Sequence, residues 1–113
     1  MRRPFFAALA ACALMAPAHA SNYLPFNHTG HGQMACRSFI SVPGKGDTPY
    51  WSDIFATNES GYDVMPKFEA FVRQSYGAIG RIHAPTCFKF ASTADAERMI
   101  QTHPPGVSTR WRQ

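Results

Sequence analysis

The chain has 113 residues, of which 45% are hydrophobic and 16% charged, and its formal net charge is +4. That length bounds the fold to one small domain. Half of that charge belongs to the first twenty residues, and the +2 that remains without them argues against binding to a polyanion, so no nucleic-acid partner is expected.

Part of the basicity belongs to a targeting segment. Arg2 and Arg3 precede an apolar run over residues 5–15, and Ala18-His19-Ala20 fits a small-x-small cleavage site. This is the pattern of a signal peptide, and the run is too short to span a bilayer. Cleavage after Ala20 would leave a mature chain of 93 residues starting at Ser21, with a net charge of +2 and no transmembrane helix. The expected compartment is the periplasm or the exterior. A competing reading takes Leu9-Ala10-Ala11-Cys12 as a lipobox with Cys12 acylated. It leaves almost no apolar run ahead of Cys12 and strands residues 13–18 on the mature protein. Without the leader, two cysteines remain, Cys36 and Cys87. An even pair in an oxidising compartment predicts a disulfide, and the wide spacing does not fit a redox or metal C-x-x-C site.

Residues 21–33, SNYLPFNHTGHGQ, lack any period and predict a flexible tail. His28 and His31 within it could share a metal ion, but no further ligand is evident nearby, so neither a metal nor any other cofactor is expected. Residues 34–42 alternate and predict a strand, followed by a turn at Pro43-Gly44-Lys45-Gly46-Asp47 that lacks P-loop spacing. Residues 48–57 predict a second strand, with Asp53 on the face of Trp51 and Phe55.

Asp63 is then a candidate N-cap for a helix whose apolar stripe is Met65, Phe68, Phe71, Val72 and Tyr76. Glu69 and Arg73 form an i,i+4 pair on its polar side, and Gly77 is read as the C′ residue. Residues 81–90 are extended, with Pro85 marking an edge strand, a bulge or a late strand start. Phe88 and Phe90 share one face of this strand, so Cys87 points to the other. If the helices cover the phenylalanines, the disulfide lies away from them or at the bulge. Ser92 and Asp95 form a capping box for a second helix carrying Ala96, Met99, Ile100 and His103, which Pro104-Pro105 ends. Residues 107–112 alternate as a last short strand, with Arg110 and Arg112 on one face as candidate ligands for an anion.

These elements predict an α+β fold. The expected form is a small two-layer sandwich in the order β-β-α-β-α-β, with an antiparallel or mixed sheet, two helices on one face and one disulfide. The run Tyr50-Trp51-Ser52-Asp53-Ile54-Phe55, the helix with Phe68, Phe71, Val72 and Tyr76-Gly77, Cys87-Phe88, the Ala94-Asp95-Ala96-Glu97 helix and Trp111 together resemble small exported bacterial domains of uncharacterised function. The resemblance covers residue 34 to the C-terminus and implies fold and export, with no activity to carry over.

The chain shows no nucleophile elbow, H-E-x-x-H, EF-hand loop or dinucleotide fingerprint. It therefore reads as a non-enzymatic, disulfide-stabilised module that binds a protein or another component of the bacterial envelope. A ribonuclease-like hydrolase is the alternative. It would draw on His83 and His103 with Glu69 or Asp53 and on Arg81, Arg110 or Arg112, and it requires both histidines to face one site beside an arginine. An envelope inhibitor or immunity protein, presenting residues 43–47 or 58–62, is a third reading.

Overall fold

A computed structural model describes residues 23–113. The expected signal peptide, its cleavage site and Cys12 lie outside the described residues. The central strand is β1 (Gly32–Val42). On one side it pairs antiparallel with β4 (Arg81–Phe90); on the other it pairs with β2 (Gly46–Trp51) along its second half and β3 (Phe55–Thr57) at its start. A short β5 (Val107–Ser108) runs parallel to β2 and makes the sheet mixed. Two helices complete the domain, α1 (Gly61–Tyr76) between β3 and β4 and α2 (Thr93–Gln101) after β4.

The α+β class, the mixed sheet and the disulfide are as expected. The second strand is not continuous. Arg37 opposes Trp51 and Met34 opposes Phe55, so the partner strand gains one residue on β1 over this interval. A bulge of this kind leaves ladder groups unpaired unless something replaces them. Ser52 does so: its backbone N–H donates to the Cys36 carbonyl (2.8 Å), and its Oγ accepts from the Cys36 N–H (2.8 Å).

Because Cys36 spends both backbone groups on Ser52, it faces Cys87 as a non-hydrogen-bonded pair, the type that brings side chains closest. The two residues are direct partners in the β1–β4 register and form the disulfide. Further along, the register shifts by one between Arg37 and Phe39, opposite Ala84 and Pro85. Ala84 takes a left-handed φ of 55°, and Ser38 Oγ donates to the His83 carbonyl (3.2 Å) inside the irregularity. Pro85 thus sits at a bulge on a strand that pairs only with β1 over this stretch, as a missing N–H requires.

The helices do not share a face. Met34, Cys36 and Ile40 of β1 and Cys87 of β4 pack with Val64, Phe68 and Val72 of α1. Ala35 of β1 and Phe88 and Phe90 of β4 pack with Ala96 of α2 and with Trp51. Alternate residues of a strand point to opposite faces, so these two clusters lie on opposite sides of the sheet. The expected two-layer arrangement is corrected to three layers. The disulfide therefore lies under α1 and the phenylalanines under α2, so both are buried.

The N-cap of α1 is Ser60 rather than Asp63; its Oγ accepts from the Asp63 N–H (3.2 Å), which places the Asp63 carboxylate in the first turn, where the helix dipole favours it. Gly61 is required by packing, because a Cβ there would come within 2.4 Å of the Cys87 carbonyl. Gly77 is right-handed (φ −61°), so the expected left-handed C′ geometry is absent and the helix stops in a simple turn. Ser92 caps α2 as expected, accepting from the Asp95 N–H (3.2 Å).

Two segments expected to be loose or regular are neither. Residues 23–31, expected within a flexible tail, lie against β4: the Leu24 N–H donates to the Lys89 carbonyl (2.6 Å), and the Tyr23 ring rests on Phe26 and Phe88. Lys89 explains the attachment. It is 1% exposed, and its Nζ donates to the carbonyls of Gly30 (2.5 Å), Glu59 (2.9 Å) and His28 (3.3 Å). Burial lowers its pKa, and the carbonyls supply the hydrogen bonds that a desolvated ammonium needs.

The last strand is only two residues long. Beyond it the chain follows the outer edge of β2, with the Thr109 N–H donating to the Trp51 carbonyl and the Asp53 N–H to the Trp111 carbonyl (both 2.8 Å). The Trp111 ring then enters the α1 layer beside Phe55, Phe68 and Phe71.

Phe68 is fully buried and Phe71 only partly, so Phe68→Ala is expected to cost about 3–5 kcal/mol in urea unfolding and Phe71→Ala clearly less. Lys89→Met should cost on the order of 2–3 kcal/mol, since three carbonyls lose their donor. The same unfolding measurement checks it.

Candidate anion-binding face

The site is built from cross-strand rows on the α2 face of the sheet. In the direction β4–β1–β2 the rows read Arg81–Ser41–Asp47, His83–Phe39–Pro49 and Thr86–Arg37–Trp51. The next row, Phe88–Ala35, lies under α2. A nine-residue helix rises about 13 Å at 1.5 Å per residue, too short to roof the whole face, and the rows from Arg37 outward keep partial exposure at Arg37, Phe39, Ser41 and His83.

Arg37 is the centre of this surface. Its Cζ lies 4.7 Å from the Phe39 ring centroid, 5.0 Å from Phe88 and 5.8 Å from Trp51. These are cation–π distances; the attraction they offer, about 0.5–2 kcal/mol at a partly desolvated site, is set against the cost of taking the charge out of water. The hydrogen-bonding side is poorly served. Nε is buried without a partner, and among the described residues the one polar contact is Nη1 to His103 Nε2 at 3.4 Å. No carboxylate among the described residues pairs with it, and burial lowers its pKa.

The end of α2 supplies His103. Its Nδ1 lies 2.9 Å from the Met99 carbonyl, and its ring meets Trp51 edge-on at 5.4 Å. A carbonyl can only accept, so Nδ1 carries the proton and Nε2 is left to accept from Arg37. Both ring nitrogens are engaged.

His83 sits in the next row outward, beside Phe39. Its ring stacks on Phe39 at 5.8 Å, and its Nε2 lies 2.8 Å from Ser41 Oγ and 3.5 Å from Asp47 Oδ1. Ser41 Oγ in turn donates to Asp47 Oδ1. The resemblance to a serine-protease triad is one of composition only. There the imidazole takes the hydroxyl proton and the carboxylate holds the opposite ring nitrogen. Here the Ser41 proton goes to Asp47, and the same imidazole nitrogen meets both groups. The Ser41 hydrogen bond, with a smaller contribution from the His83 charge, holds the Asp47 carboxyl below its usual value.

The fold thus places His83 and His103 on one face with an arginine between them, though that arginine is Arg37 rather than Arg81, Arg110 or Arg112. Arg81 stands in the outermost row, near Asp47. Glu69 lies on α1, on the opposite side of the sheet, paired with Arg73 (2.8 Å). Asp53 sits at the β2–β3 bulge, with Arg110 Nε 3.4 Å from Oδ1 and Arg112 Nε 3.4 Å from Oδ2, so one carboxylate is shared between the two arginines. It lines an open cleft of about 520 Å³ with Trp51, Ile100, His103 and Pro105.

His28 is half-buried and His31 exposed; among the described residues no three metal-type side chains cluster. Residues 43–47 form an exposed hairpin tip. Residues 58–62 are tied down instead, with the Glu59 carboxylate bonded to Lys67 (3.2 Å) and Gln113 (3.0 Å).

Sequence reasoning missed Arg37, Phe39, Ser41 and Asp47. The period-two pattern of β1 already put the first three on one face, but nothing in that strand showed that the face was incompletely covered. The chain matches no protein-family model, no curated protein and no solved structure.

A carboxyl with a depressed folded pKa stabilises fully above its unfolded value, about 3.9, and loses that contribution as pH falls through the folded value. Removing the main cause should therefore move Asp47 upward. An NMR titration of Ser41→Ala is expected to show the Asp47 midpoint rising towards the ordinary carboxylate range, while the wild type titrates lower.

Proposed function

We propose that this is an exported, disulfide-stabilised interaction module of the bacterial envelope that binds its partner through the α2 face of the sheet. The observation that carries this reading is the state of Arg37: half-buried among three aromatic rings, with no carboxylate partner among the described residues. A surface prepared in this way has a desolvated charge to offer a ligand, and aromatic residues and arginine dominate the energetics of protein interfaces. Export is supported by the disulfide and by the leader-like start of the sequence. No helix among the described residues is long and apolar enough to cross a membrane.

Catalysis is the second reading, favoured by the shared face of His83 and His103 beside Arg37. Against it, His103 has both ring nitrogens engaged and His83 has Nε2 committed to Ser41 and Asp47, so at most His83 Nδ1 is left and a two-histidine acid–base pair is not at hand. A general acid or base needs a nitrogen free for substrate.

The two readings separate in one experiment. The immobilised oxidised chain should retain an envelope component that the Arg37→Gln chain releases, and neither should hydrolyse a phosphodiester. Hydrolysis abolished by both His83→Ala and His103→Ala would replace binding with catalysis.

A further inference from the structure

We infer that the Arg37 surface takes a planar monoanion: a carboxylate carried next to an aromatic or other apolar group. This rests on the binding role proposed above for the same face and names the chemistry of its ligand.

The charge balance sets the ligand's charge. Arg37 is the one full charge of the central row, between Thr86 and Trp51. In the outermost row Asp47 and Arg81 flank Ser41 on its two sides, and Asp47 Oδ1 lies 3.5 Å from His83 Nε2, so the charged groups beyond the Phe39 row face the Asp47 carboxylate and not Arg37. From α2, His103 Nε2 reaches Nη1 at 3.4 Å, and no carboxylate of that helix does. A single uncompensated positive charge matches one negative charge; a phosphate dianion would need a second cation in reach.

Geometry sets the ligand's shape. Nε is closed off without an acceptor and Nη1 is turned to His103, while Nη2 donates to no described residue. The Nη edge of the guanidinium is therefore the part open to a carboxylate. The partly exposed Phe39 ring lies 4.7 Å from the same Cζ, with the buried Trp51 ring behind it, so a group attached to that carboxylate meets an aromatic wall formed by Phe39. Water leaving that wall adds apolar burial to the charged contact and discriminates against a small hydrophilic anion.

The test is a titration of the full oxidised, ¹⁵N-labelled chain with benzoate, benzamide and phenyl phosphate, followed at the Arg37 Nε–H signal and at the amides of Phe39 and His103. Benzoate is expected to give saturable shifts with a Kd on the order of 1–10 mM, and benzamide none. Arg37→Gln should weaken benzoate at least tenfold. If that variant does not fold, Phe39→Leu serves instead, with a loss of at least threefold. The inference is overturned if benzoate does not saturate, if benzamide matches it, if phenyl phosphate binds tenfold tighter, or if a folded Arg37→Gln chain binds benzoate as well as the wild type. Should benzoate fail while envelope retention still depends on Arg37, the ligand class is wrong and the binding role stands. If retention is also indifferent to Arg37, both fall.

Discussion

Cys36 and Cys87 meet directly across β1 and β4, and that pairing sets the register from which both faces of the sheet follow. With Cys87 pointing under α1, the period-two rule sends Phe88 and Phe90 under α2, and with Cys36 fixed it sends Ala35 and Arg37 to the same side as the phenylalanines. A slip of one residue would exchange the two sets, placing a guanidinium in the α1 core and a thiol on the open face. The covalent link, closing a loop with sequence separation 51, contributes roughly 4 kcal/mol in the chain-entropy model. In a domain this small that is comparable to the whole net stability.

Two departures from regular pairing flank the disulfide, and each has a local cause. The β2–β3 bulge is closed by Ser52, whose hydroxyl supplies a ladder contact that a backbone carbonyl would otherwise make. The β4 irregularity follows from Pro85, which has no N–H to give. The first bulge puts Asp53 where it meets the returning C-terminal segment; the second separates His83 from the cysteine rows. Side-chain placement on the α2 face is thus largely a product of where the ladder fails to be ideal.

Much of the fold was legible in the sequence because it rests on local rules. The helices show as apolar stripes at intervals of three and four, and Ser92 with Asp95 announces α2. The cysteine pairing was expected from the even number left once residues 1–20 are set aside as a leader. What could not be read is which face each helix covers, since the stripe of α2 is apolar whichever side of the sheet it meets. The docking of residues 23–31 also escaped, because it depends on Lys89, a charged residue inside an alternating strand that burial and three distant carbonyls turn into an anchor. Arg37 was hidden for a similar reason. Nothing local to residues 34–42 says that the neighbouring helix ends before covering it.

The two faces divide the work. The α1 side holds the disulfide and the larger aromatic cluster, whereas the α2 side ends in a cation that burial destabilises and that no described carboxylate relieves. If Arg37 is kept for a ligand rather than for the fold, its removal should not harm the fold. The direct measurement is the unfolding free energy of Arg37→Met, in which a flexible apolar side chain fills the space between Phe39, Trp51 and Phe88. Stability equal to or above that of the wild type is the expected result, as when a desolvated charge gives way to an apolar group of similar volume. A loss of about 2 kcal/mol or more would mean that the ring-enclosed guanidinium is a structural element, and would contradict the assignment of this face to binding.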